Sequence, residues 1–158
     1  MGFAPFDMKV TSADFKPGSQ LPAKHAYDGG NVSPSLFWDK VPEGTRSIGV
    51  FCHDPDAPKT SDQGQYGFVH WVLYNIPADQ RKLEEGVTAF AKGVNDFGEA
   101  GYGGPLPPEG HGTHHYYFWV VALDVEPDLP DGLDLCEFLE RIEPHTLGMN
   151  RLVGTYER

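Results

Sequence analysis

The sequence predicts a single mainly β domain, a sandwich with one or two short helices toward its C-terminal end. Three observations carry this. Among 158 residues there are 19 glycines and 14 prolines, a density of punctuation that suits many short elements joined by turns. Three runs rich in β-branched and aromatic residues are bounded by Gly, Pro, Asp or Asn, whereas one segment alone has clear helical spacing. Hydrophobic residues make up 39% of the chain and charged residues 22%, which allows a packed core and argues against disorder. No fixed-period repeat or low-complexity linker divides the sequence, so 1–158 is read as one domain.

The three strands are expected over 48–53, 68–76 and 115–123. In the second and third, both alternating sets of side chains are apolar, as befits strands covered on both faces. The helix follows from Leu135, Phe138, Leu139 and Ile142, which recur at i, i+3, i+4 and i+7. Asp134 is its N-cap, with Glu137 three residues on, and Pro144 stops it. A second short helix is expected from there to about Arg151, before a last strand over 152–156.

Twenty-three acidic against 12 basic side chains give a formal charge of −11, a field that repels phosphate backbones and argues against nucleic acid as a partner. Much of the acid lies between Asp124 and Glu143, with Arg141 the one basic side chain there. This stretch reads as a solvated face or as a docking face for a basic partner. No apolar run approaches the roughly 18 residues that span a bilayer, so stable membrane insertion is not expected. Cys52 and Cys136 lie in a strand-like and a helix-like run, no disulfide is expected, and the start of the chain lacks an export pattern. Together these point to a reducing, cytoplasmic setting.

Three polar clusters interrupt this pattern. His53-Asp54-Pro55-Asp56-Ala57-Pro58 closes the first strand, and its prolines stiffen the corner that carries the two carboxylates. Such a corner presents a carboxylate reproducibly, and it is equally a turn in which Asp caps its own backbone. His70 stands in the second strand, where alternation puts it on one face with Phe68, Val72 and Tyr74. An imidazole is costly there without a partner. The third cluster runs from Gly101-Tyr102-Gly103-Gly104-Pro105 through Leu106 and Pro108 to His114 and Tyr116. Its glycines let backbone N–H groups approach an anion, and the His and Tyr two residues apart can donate to the same oxyanion. The sequence has neither a G-x-x-x-x-G-K-[ST] nor a G-x-G-x-x-G pattern, and no cofactor is implied.

These pieces, in this order, resemble the phosphatidylethanolamine-binding protein family in its bacterial and archaeal, Raf-kinase-inhibitor-like branch. The resemblance rests on Gly30-Asn31-Val32-Ser33-Pro34, on Asp54-Pro55-Asp56-Ala57-Pro58 with His70-Trp71, on the Gly101 to Tyr116 stretch, and on the ending Leu152 to Arg158. It implies a β-sandwich around a large antiparallel sheet, with a small cavity for phosphate, phosphoethanolamine or a similar anion. Carried over, the ligand-binding residues are Asp54, Asp56, Pro58, His70, Leu106, Pro108, His114 and Tyr116, with no catalytic residue and no metal. The family implies a homodimer and a regulatory role toward a kinase or protease, whose target the sequence does not name. Two positions depart from the family pattern: Phe68 stands where Trp is common, and His115 where Arg is usual.

Within this reading, Asp54 or Asp56 orients His70 or His114, and the outer ring nitrogen, the Tyr116 hydroxyl and loop N–H groups face the ligand. The second carboxylate is expected to meet an ammonium. Two alternatives belong to other classes. One is a hydrolase in which a His/Asp pair activates Ser33. The other is a metal site drawing on His53, His70, His111, His114 and His115 with Asp54 or Asp56.

Overall fold

The computed structural model describes residues 7–57 and 67–158. Five strands form the main antiparallel sheet: β3 (Ser47–Asp54), β4 (Phe68–Pro77), β6 (Ala91–Lys92), β7 (His114–Leu123) and β8 (Thr146–Tyr156), in the order β6-β4-β3-β7-β8. A smaller antiparallel sheet, ordered β1-β2-β5, is built from β1 (Lys9–Thr11), β2 (Leu36–Asp39) and β5 (Lys82–Leu83).

Both faces of the main sheet are covered, which is why its central strands lack polar alternation. On one face Ile48, Val50, Trp71, Phe118 and Val120 meet Val10, Leu36 and Trp38 of the small sheet. On the other, Phe51, Val72, Tyr74 and Val121 pack against α1 (Leu135–Ile142) through Leu135, Phe138 and Ile142. Gly49 makes this second layer tight, because a Cβ there would stand 2.6 Å from the Phe138 ring.

The helix begins as its spacing predicts. Asp134 accepts from the Glu137 N–H at 2.8 Å, and Glu137 accepts from the Asp134 N–H at 3.0 Å, a complete capping box. The expected second helix is corrected: Glu143–His145 is one 3-10 turn around Pro144, and the chain is a strand from Thr146 onward. The reason is tertiary. β7 is ten residues long, and its outer edge is paired over its full length only if 146–150 joins 152–156 in one ladder, from Leu123 opposite Thr146 to His114 opposite Tyr156. Cys52 and Cys136 are free thiols, and among the described residues no helix is long and apolar enough to cross a membrane.

Candidate functional site

Because β3 runs antiparallel to both β4 and β7, its C-terminal end meets the beginnings of its two neighbours. That geometry brings Asp54, His70, His114 and Tyr116 to one corner of the sheet. They line a cavity of about 160 Å³, closed by Phe68 and Phe97 on one side and by Leu106 and Pro108 on the other.

His70 reaches this cavity by a device that alternation does not foresee. Opposite β3, Cys52 pairs with Trp71 and His53 with Val69, so His70 is the extra residue of a β-bulge. The bulge resets the pleat. Trp71 and Leu73 enter the inter-sheet core, while Val72 and Tyr74 turn to the α1 face. The expectation that His70 shares a face with Val72 and Tyr74 is therefore wrong. It shares one with Phe68, whose ring centroid lies 4.9 Å away, and it meets Tyr116 edge-on at 5.1 Å.

The partner that stabilises the buried imidazole is not a carboxylate. His70 Nδ1 donates to the Gly103 carbonyl at 2.6 Å, and the Gly103 N–H returns to the His70 carbonyl at 2.8 Å. Burial pushes the His70 pKa down to about 4, outweighing that carbonyl and the nearby Asp54 charge. At neutral pH the ring is uncharged, and with Nδ1 protonated its Nε2 is a bare acceptor.

Asp54, 2% exposed, combines both readings of its corner. Its Oδ1 accepts from the Asp56 N–H at 2.8 Å, as a self-capping turn requires, and its Oδ2 accepts from His114 Nδ1 at 2.7 Å. The expected orienting carboxylate is thus Asp54, acting on His114. The outer nitrogen of His114 is not left open: His111 Nδ1 sits 2.6 Å from His114 Nε2. The Tyr116 hydroxyl is buried without a hydrogen-bond partner among the described residues. Burial and then the Asp54 charge push the phenol's pKa up, so it remains a protonated donor.

One sequence candidate stands apart from this cluster. Asp56 does not line the cavity; its Oδ2 accepts from the backbone N–H and from Nδ1 of His115, at 2.8 and 2.7 Å. Partial burial works to raise its pKa, but the bonds and charge of His115 prevail and hold the carboxyl below its ordinary value. The His at the second departure from the family pattern thereby takes the carboxylate expected to meet an ammonium. Pro58 lies outside the described residues.

Sequence reasoning missed the scaffold. Asn95 fixes the turn that presents Phe97, bonding the Gly101 carbonyl and the N–H groups of Phe97 and Glu99 at 3.0 to 3.1 Å. Phe97 stacks on Tyr27 and meets Phe68 edge-on. Asn31 accepts from the Gly104 N–H at 2.8 Å, and Tyr27 N–H donates to the Pro105 carbonyl at 2.9 Å, so the loop facing His70 is held from behind. A lone aromatic inside an Asn-Asp-Phe-Gly turn was the available signal for Phe97.

The alternatives fare differently from the cleft. Ser33 is buried and lines a separate cavity, so it is not placed beside the His/Asp pair. Among the described residues no three His, Cys, Asp or Glu side chains converge as metal ligands.

Against known proteins, the chain matches the family model "Phosphatidylethanolamine-binding protein" over residues 11–157. It is 40% identical over 158 residues to a UPF0098 protein of Aquifex aeolicus, covering 96% of this chain and 89% of that one. It is 47% identical over 132 residues to UPF0098 protein YbhB of Escherichia coli, covering 75% and 80% of the two chains. The crystal structure of E. coli YbcL, introduced as a new member of the mammalian PEBP family, matches with a TM-score of 0.87 at 36% identity, over 97% of this chain and 99% of YbcL. None of these names denotes an enzyme.

Proposed function

This chain belongs to the phosphatidylethanolamine-binding protein family, and from that premise we propose that its cleft binds a small phosphorylated headgroup such as phosphoethanolamine. The observation that carries the reading is the pairing, at one cavity, of a buried Tyr116 hydroxyl that has no partner among the described residues with an unprotonated ring nitrogen on His70. A buried donor left unpaired costs about 1–3 kcal/mol, which a ligand oxygen would recover.

The same pairing selects a protonation state. A phosphate monoester has a second pKa of about 6. Its monoanion offers oxygens to the Tyr116 hydroxyl and a P–O–H to His70 Nε2. The dianion has no proton for Nε2 and meets that lone pair beside the Asp54 charge. With Asp56 held by His115, the ethanolamine ammonium is received by the faces of Phe68 and Phe97, an arrangement in which cation–π attraction contributes about 0.5–2 kcal/mol. The reading also takes over from the family resemblance a homodimer, and from the composition a cytoplasmic setting.

Calorimetric titration of phosphoethanolamine at pH 6 and pH 8 tests this. The monoanion requirement predicts an affinity lower at pH 8 by about tenfold per pH unit above 6. Tyr116→Phe weakens binding about tenfold at pH 6. An affinity that is equal at both pH values and indifferent to the Tyr116 hydroxyl contradicts the proposal.

A further inference from the structure

A second cavity, of about 280 Å³, opens beside β6, and none of the cleft residues lines it. Val32, Leu73 and Val87 give it apolar walls, and Trp71 and Tyr102, whose rings meet edge-on at 5.5 Å, complete them.

Its polar lining is rich in groups that can donate. The Lys92 ammonium, the Ser33 hydroxyl and the Trp71 indole N–H have no hydrogen-bond or ion-pair partner among the described residues. Ser33 is 4% exposed and Trp71 2%, so the hydroxyl and the indole depend on this cavity for any partner. Asn31 uses its side-chain oxygen on the Gly104 N–H at 2.8 Å, which leaves its amide NH₂ as a fourth donor. Two backbone carbonyls of the lining are already engaged. The Ser33 carbonyl accepts from the Gly86 N–H at 2.9 Å, and the Gly101 carbonyl accepts from the Asn95 amide at 3.0 Å.

Charge gives the same direction. Although the chain has 23 acidic side chains, none lines this cavity, and a cation does. The Lys92 stem runs beside Gly101, where a Cβ would stand 3.6 Å from its Cδ, so the long side chain is supported by the loop. A cation and three neutral donor groups beside Val32 and Val87, with no carboxylate among them, complement an oxyanion on an apolar body.

We propose that this cavity binds a small organic carboxylate, its oxygens received by Lys92, Ser33 and Trp71 and its apolar body by Val32 and Val87. Val32 and Val87 offer the apolar body of an organic acid a contact that inorganic phosphate would not use.

The test follows the Trp71 indole N–H resonance of ¹⁵N-labelled protein, assigned with Trp71→Phe, as benzoate is added. Saturable movement of that resonance is expected. Lys92→Met weakens the apparent affinity about tenfold or more, and Tyr116→Phe, in the other cavity, leaves it unchanged. Should Lys92→Met fail to fold, Ser33→Ala removes one donor and weakens binding severalfold. No saturable movement at Trp71, an affinity indifferent to the lysine and serine substitutions, or tighter binding of inorganic phosphate than of benzoate overturns the proposal.

Discussion

Lowering the pH from 6.5 to 4 destabilises the fold by about 3 kcal/mol through His70 alone, since one pKa unit corresponds to about 1.4 kcal/mol. Its ring titrates at about 4 in the folded protein, where burial opposes the charged form, against an ordinary value of 6.5. The sign follows from proton counting. Between these two pH values the unfolded chain binds a proton that the folded chain does not, so stability falls as the pH drops through this window. The contribution is fully present above 6.5 and fully lost below 4. Other groups also titrate in acid, and comparison with His70→Asn removes them, because the amide still donates to the Gly103 carbonyl but carries no proton equilibrium. Urea unfolding of both proteins at pH 7 and pH 4.5 gives the measurement. The wild type is expected to lose more stability than the variant by about 2–3 kcal/mol; equal losses contradict a neutral, buried His70.

Gly104→Ala is expected to cost about 3 kcal/mol or more, at the top of the overpacking range. A methyl group there would stand 2.0 Å from the His25 carbonyl oxygen and 2.9 Å from Ala26 C and Tyr27 N. All three are backbone atoms, and that backbone is tied to the loop through Tyr27 and Pro105, so no side chain can swing aside. Relief requires the loop to retreat. It would carry with it the Gly103 carbonyl that holds His70, so stability and the cleft fail together. Thermal unfolding should show a drop of roughly 10 °C for a chain of this size. A Tm within a degree or two of wild type would mean that this close approach does not exist.

The difference between what could and could not be read from the sequence has physical causes. β3, β4, β7 and α1 announce themselves because double-sided burial and the capping box leave local marks on composition and spacing. β1, β2, β5 and β6 are two to four residues long, too short for alternation to register. The first half of β8 has Leu147, Gly148 and Met149, which carry no strand preference; pairing with β7 overrides their local tendencies. The bulge at His70 has no glycine or proline to mark it, yet it puts His70 at the cleft and sends Val72 to the opposite face.

For the site, the family resemblance brought together Asp54, His70, His114 and Tyr116, which are far apart along the chain. It did not foresee which nitrogen or oxygen each would leave open. Gly103 takes His70 Nδ1, His111 stands against His114 Nε2, and His115 takes Asp56. These assignments depend on distances of a few tenths of an ångström between loops, which no periodicity records.

Imidazole ¹⁵N resonances, followed at pH 6 while phosphoethanolamine is added, probe the central idea most directly. The neutral, Nδ1-protonated form of His70 should be visible before any ligand is present. On binding, its Nε2 resonance should move in step with those of the Tyr116 ring, to a common saturation point. A protonated His70 in the free protein, or a ligand that saturates elsewhere while His70 and Tyr116 stay still, would contradict the account.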